Sequence, residues 1–337
     1  LNAPADHFAG QNHPDRFVGV TAGGSPVRNG LPASRVRIDV GPWRTAGAFL
    51  QARFAHVADW LDRFAEGAVL DAHGQALQPF SSVRPGDLIW YWRKPAAESR
   101  VPFELEILYR DRDLLVVDKP HFLPVIPSGR YLEETALVRL QRLLGLADLA
   151  PVHRLDRDTA GVLLFTTTRG ARAAYQNLFR DGQVQKYYEA IAPWRADLFF
   201  PRSEQMRIEQ RPGSAFMQMQ SCSGLPNTRT EIELTRRVHL TPPGLGDLAL
   251  YRLRALTGRK HQLRVQLSSL GIPIVWDEIY PTLKPERPVD TAPDYSRPLQ
   301  LLARSVRFVD PVSGEHRTFV SRQRLQLASR AVDNMAG

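Results

Sequence analysis

Cysteine is nearly missing from this chain: Cys222 is the single one in 337 residues. One thiol excludes an internal disulfide framework and any zinc site built on several cysteines. It suits a reducing compartment, so a cytoplasmic setting is expected. Cys222 lies in Ser221-Cys222-Ser223 with no base motif beside it, and no nucleophilic role is assigned to it. Lysine is scarce as well: Lys94, Lys119, Lys186, Lys260 and Lys284 are the five, so 39 of the 44 basic residues are arginine. No apolar run reaches the roughly 20 residues of a membrane-spanning helix, and no membrane association is expected. The opening Leu1-Asn2-Ala3-Pro4 has neither the charged nor the apolar region of a signal peptide. No internal repeat and no long low-complexity tract occurs.

What is present is arginine and a real core. The 44 Lys and Arg against 35 Asp and Glu leave a net charge of +9, with a pI near 10.0. Such a balance suits a polyanionic partner, because basic side chains release counterions on meeting phosphates. Compositional drift in an arginine-heavy chain would give the same excess, so charge favours nucleic acid without establishing it. With 43% hydrophobic residues the chain can bury a core, and its length allows two domains at roughly 150 residues each.

Residues 1–35, rich in Gly, Pro, Asn and Ala, read as a poorly ordered arm. A small α+β domain is expected over 36–97. Its middle, Ala46 to Phe64, carries apolar residues at helical spacing, for one helix or a pair, and Pro85-Gly86-Asp87 turns into the strand-like Leu88-Ile89-Trp90-Tyr91. A linker at 98–102 follows. From 103 to 330 strands dominate, broken by helices at 135–146, 169–180 and 261–270, and residues 201–229 read as polar and loop-rich. Mixing of this kind, without regular βαβ alternation, points to α+β with a large mixed sheet.

Three blocks carry chemistry. The first is His153-Arg154-Leu155-Asp156-Arg157-Asp158-Thr159-Ala160-Gly161, with Asp156 between two arginines. Nearby cations favour the carboxylate form, although a lone Asp–Arg pair is more often solvated surface. The second is Val184 to Ile191, where Lys186 and Tyr188 share a strand face; alone it would read as a half-buried strand. The third runs from Thr257-Gly258-Arg259-Lys260-His261-Gln262-Leu263-Arg264 to Asp277 and Tyr280. Thr257-Gly258 is expected to turn and cap a helix starting near Lys260. That would put His261 and Arg264 on one face and make the helix start a phosphate site. Alone this would read as a basic surface helix.

Together the blocks resemble the RluA-type family of RNA pseudouridine synthases. The matching motifs are 153–161, 186–190, 257–266 and 271–280, preceded by Ile107 to Pro120 and followed by Leu301 to Gly314. The resemblance spans about 103–320 in order and spacing. It implies a pseudouridine synthase-like catalytic domain with a mostly antiparallel mixed sheet and a central cleft. It also implies isomerisation of uridines in structured RNA, rRNA or tRNA, with the target base flipped out. No cofactor, no metal and no protein partner are implied, and a monomer is expected. The 36–97 segment loosely resembles the S4-type RNA-binding module.

Carried over by motif, Asp156 is the essential aspartate, Tyr188 the tyrosine against the uracil and Arg264 the cation paired with the aspartate. Arg154 would help displace the target nucleotide, and Arg157, Lys186, Arg259, Lys260 and His261 would contact RNA. Four positions depart from the pattern: Ala160 for serine, Gln266 for histidine, Trp276 for glycine and Leu302 for histidine. Trp276 is expected to alter the cleft wall. Two rival readings are a catalytically inactive RNA-binding protein of the same fold, and a hydrolase pairing Asp156 with Asp158 or Glu189.

Overall fold

The computed structural model describes residues 19–20, 26–28, 31–93, 98–129, 131–210, 218–238, 242–285, 291 and 293–329. The chain splits into two units, Leu1–Ala96 with Gln141–Ala147, and Ala97–Leu140 with Asp148–Gly337. Among the described residues no helix is long and apolar enough to cross a membrane.

In the first unit β1 (Gly19–Val20), β2 (Pro26–Arg28) and β3 (Leu31–Pro32) form a short antiparallel sheet. A second sheet, in the order β4–β6–β5, is made by β4 (Ser34–Arg37), β5 (Val69–Leu70) and β6 (Leu88–Tyr91). The helical spacing of 46–64 resolves into a pair, α1 (Ala46–Arg53) and α2 (Trp60–Ala65). Thr45 caps α1 by accepting the Ala48 N–H. Phe49, Leu50, Trp60 and Phe64 pack with Val69 and Ile89 into this unit's core. Much of the expected arm, 1–35, lies outside the described residues, as do 94–97; the part that is described holds β1, β2, β3 and the start of β4.

The second unit opens with the expected hairpin, β7 (Glu106–Arg110) and β8 (Leu114–Lys119). Asp111 Oδ1 turns it by accepting the N–H groups of Asp113 and Leu114. Then follow α3 (Ala136–Leu144), β9 (Ala150–Pro151), β10 (Ala160–Thr166), α4 (Arg169–Arg180) and β11 (Gln185–Pro193). The chain continues through β12 (Arg202–Glu209), β13 (Gln220–Cys222), β14 (Thr228–Val238), β15 (Leu248–Ala255) and α5 (Gln262–Ser269). It closes with β16 (Leu301–Val309), β17 (His316–Val320) and α6 (Gln326–Ser329). One large sheet runs β13-β12-β14-β15-β11-β16-β10-β8-β7, with β9 on β10 and β17 on β16. The β10–β16 pair is parallel and the other described pairs are antiparallel. This is the mixed, mostly antiparallel sheet expected.

The loop-rich reading of 201–229 is corrected. β12, β13 and the start of β14 pair there as antiparallel strands. Exposed and half-buried residues alternate along β12, so one face meets solvent and no apolar stripe marks the strand. Residues 211–217 lie outside the described set.

Two features bring the three blocks together. β10 meets β16 over only two residue pairs, and Gly161, at φ +116°, lets the backbones touch. A Cβ there would lie 2.2 Å from the Ala303 carbonyl oxygen. On β11, Tyr188, Ala190 and Ala192 pack toward Leu263 and Leu267 of α5. Ile191 points to the reverse face, among Ala160, Leu302 and Leu327.

Candidate active site

Asp156 lies in the segment joining β9 to β10, and its backbone is tied down at three successive carbonyls. The Asp156 carbonyl accepts the Thr159 N–H, that of Arg157 accepts Lys119 Nζ at 3.0 Å, and that of Asp158 accepts His121 Nδ1 at 2.6 Å. Lys119 is fully buried and also reaches the carbonyls of Pro120 and Leu123. Burial lowers its pKa to about 7, against the pull of Asp158 and Asp156. His153 anchors the start of the segment: its ring stacks on Phe179, and Nε2 accepts the Leu164 N–H.

The Asp156 side chain keeps 27% of its surface exposed and meets Arg264, which is 2% exposed. Arg264 Nη1 lies 3.4 Å from Asp156 Oδ2. Its main partner is another acid, Asp277, held bidentately through Nε at 2.8 Å and Nη2 at 2.6 Å. The pairing expected between Arg264 and Asp156 is therefore present but secondary. Burial alone would lower the Arg264 pKa, but hydrogen bonds and charge from Asp277, and the charge of Asp156, hold it raised. Tyr188 comes from β11 on the same side. Burial, and then the Asp156 charge, raise its phenol, so it stays neutral.

His261 lies deeper than a surface phosphate contact would. It is 7% exposed, its Nε2 is 3.9 Å from Asp156 Oδ2, and its Nδ1 is 2.9 Å from Tyr280 Oη. The expected cap at Thr257 is corrected. His261, in the left-handed region at φ 55°, precedes α5 and gives no side-chain cap bond. Thr257 Oγ1 instead donates to Gln262 Oε1 and accepts the Arg229 N–H.

The remaining cations differ. Arg154 and Lys260 are exposed and close enough for their charges to interact, and Lys260 also interacts with Asp156. Arg259 is exposed. Arg157 is already engaged, with Asp158 through two nitrogens and with the Tyr131 hydroxyl. Lys186 donates to the Thr257 carbonyl at 3.1 Å, and burial lowers its pKa. Both acids of the hydrolase reading are ion-paired with arginines. Asp158 faces Arg157, and Glu189, on the opposite face of β11 from Tyr188, pairs with Arg304.

Sequence reasoning missed the part played by Asp277 and Tyr280. Both were legible as motif letters, without a partner. The departures resolve into two places. Gln266 is fully buried, and its amide is satisfied by Thr230, Thr228 and the Glu204 carbonyl. Ala160, Leu302 and Trp276 meet in one apolar cluster on the reverse face. Trp276 keeps the left-handed φ, +61°, that a glycine would favour, and packs its ring there, away from Tyr188.

Residues 113–269 match a family model described as RNA pseudouridylate synthase. The chain is 30% identical over 235 residues to an uncharacterized RNA pseudouridine synthase of Synechocystis, covering 69% of this chain and 78% of that one. It is 29% identical over 228 residues to the dual-specificity RNA pseudouridine synthase RluA of Haemophilus influenzae, covering 64% and 91%. The fold matches the human RNA pseudouridylate synthase domain containing 1 with a TM-score of 0.52 at 21% identity, over 70% of this chain and 98% of that one.

Proposed function

The chain belongs to the RluA-type RNA pseudouridine synthases, and on that footing we propose that Asp156 is its catalytic aspartate, acting on a flipped-out uridine of structured rRNA or tRNA. As an RNA pseudouridine synthase it is an isomerase. The reaction breaks the bond between uracil N1 and ribose C1′, turns the base and joins C5 to C1′; C5 gives up its proton and N1 takes one up, so the product is an isomer. A carboxylate at the ribose serves as nucleophile or base, and both roles need it ionised.

The observation that carries the reading is the Arg264 clamp. Asp277 fixes two guanidinium nitrogens and leaves the third 3.4 Å from Asp156. The cation is thus set in place before substrate arrives. Tyr188, kept neutral beside it, offers a ring for the uracil. Arg154, Arg259 and Lys260 are the exposed cations proposed to meet the distorted RNA backbone; Arg157, Lys186 and His261 act from more enclosed positions. The small domain at 36–97 is proposed to add RNA contacts as an S4-like module.

The test is product analysis. Transcripts of tRNA and rRNA are incubated with the protein, digested to nucleosides and separated. Pseudouridine without free uracil is the expected result. Free uracil would favour the hydrolase, and RNA binding with no change in any transcript would favour the inactive binding protein.

A further inference from the structure

We propose that His261, held as its Nε2–H tautomer by the hydroxyl of Tyr280, is the second donor to the Asp156 carboxylate. This rests on the reading of Asp156 as the catalytic group.

Proton accounting at Tyr280 carries it. Tyr280 Oη accepts the Met219 N–H at 2.8 Å and lies 2.9 Å from His261 Nδ1. Were Nδ1 to carry the ring proton, the bare lone pair of Nε2 would face Asp156 Oδ2, 3.9 Å away. With the phenolic O–H donating to Nδ1, the proton sits on Nε2 and points at the carboxylate. The second arrangement satisfies both groups, and one ring nitrogen's hydrogen bond sets the role of the other. Burial holds the ring neutral, with a pKa lowered to about 4.

Both donors to Asp156 are built on one carboxylate. Asp277 Oδ1 accepts Arg264 Nη2 and also the N–H groups of Ile279 and Tyr280, at 2.8 and 3.0 Å. One arm runs through Arg264, the other through Tyr280 and His261, and they end on the same oxygen, Asp156 Oδ2. At 3.9 Å the imidazole contact is longer than a hydrogen bond, and distances of this kind tighten when substrate is bound. A neutral donor steadies the carboxylate as charge returns to it, without adding a further cation to those already acting on it. His261 is accordingly a positioning residue for Asp156, and Tyr280 for His261.

The tautomer is read directly. In full-length protein labelled with 15N-histidine, long-range proton–nitrogen correlation distinguishes Nε2–H from Nδ1–H, and the His261 signal is the one missing from His261→Gln. The Nε2–H pattern is expected at pH 7, shifting toward Nδ1–H in Tyr280→Phe. Kinetically, Tyr280→Phe lowers kcat about tenfold with KM unchanged. His261→Asn tolerates the left-handed backbone and reaches toward Tyr280, but falls short of Asp156, and loses about tenfold or more in kcat. His261→Gln, whose amide reaches the Nε2 position, recovers most of it. An Nδ1–H tautomer or an imidazolium in the wild type, or full kcat in His261→Asn, overturns the proposal, and the wild-type spectrum decides even if a variant fails to fold. Turnover surviving in Asp156→Asn would instead overturn the reading of Asp156, whatever the tautomer.

Discussion

Replacing Asp277 by asparagine keeps the side chain's shape and removes its charge. In the wild type this acid holds two nitrogens of Arg264 at 2.8 and 2.6 Å, and both residues are buried. Asparagine turns an NH₂ toward one of those donors, so an N–H faces an N–H. Arg264 is then a buried cation whose remaining ion-pair contact among the described residues, Asp156, lies at 3.4 Å and is partly exposed. Removing one partner of a buried ion pair costs about 3–5 kcal/mol. For a domain of this size each kcal/mol lowers Tm by about 2–4 °C, so a loss of roughly 6–20 °C follows. Asp156→Asn leaves the clamp intact and should cost about 1 kcal/mol or less, a few degrees. The assay is thermal unfolding of the two variants beside wild type, with turnover measured well below Tm. Asp277→Asn should be both destabilised and slow, Asp156→Asn stable and inactive. Asp277→Asn melting as high as Asp156→Asn would refute the claim that Asp277 carries the arginine.

Other perturbations are simpler. Gly161→Ala forces a Cβ to 2.2 Å from the Ala303 carbonyl oxygen at a left-handed φ. It should cost about 3 kcal/mol or more, seen as poor folding or a much lowered Tm; a Tm near wild type would contradict the close β10–β16 approach. Arg154→Gln, which removes an exposed cation, should lower the slope of log affinity for RNA against log salt by about one, whereas Arg157→Gln, whose cation already faces Asp158, should change it less; equal effects would count against that distinction. His261 is lowered from 6.5 to about 4 by burial. Between these values the unfolded chain binds a proton that the native state does not, so stability is full above 6.5 and is lost as pH falls toward 4. From pH 7 to pH 5 the loss due to this group is about 2 kcal/mol. Urea unfolding of wild type and His261→Gln at both pH values should show it as the smaller pH dependence of the variant; identical dependence would argue against a neutral buried ring.

The sheet was legible wherever burial leaves a mark on composition. Leu114–Lys119 and Ala160–Thr166 are buried end to end, and their apolar stretches Leu114–Val117 and Val162–Phe165 mark them in the sequence. Arg202–Glu209 is a strand with one wet face, and its polar residues read as loop. In the site, Asp156, Tyr188 and Arg264 stood out as motif letters, but the ranking of Arg264's partners did not. Asp277 is thirteen residues away in sequence, and only the fold says which of two acids meets two guanidinium nitrogens. The departures show the same limit. Trp276, Ala160 and Leu302 are far apart in sequence, so their joint packing on the reverse face could not be foreseen, and Trp276 alone suggested an altered cleft wall. The cap at Thr257 failed because its hydroxyl bonds the Gln262 side chain, and the backbone enters α5 through a left-handed His261.

The most direct test of the central claim is tritium release from RNA labelled at uridine C5, with wild type and Asp156→Asn assayed side by side on tRNA and rRNA transcripts, and RNA binding by both measured at fixed salt. Release by wild type alone, with binding nearly equal, is the predicted result. Release by Asp156→Asn at the wild-type rate would contradict it.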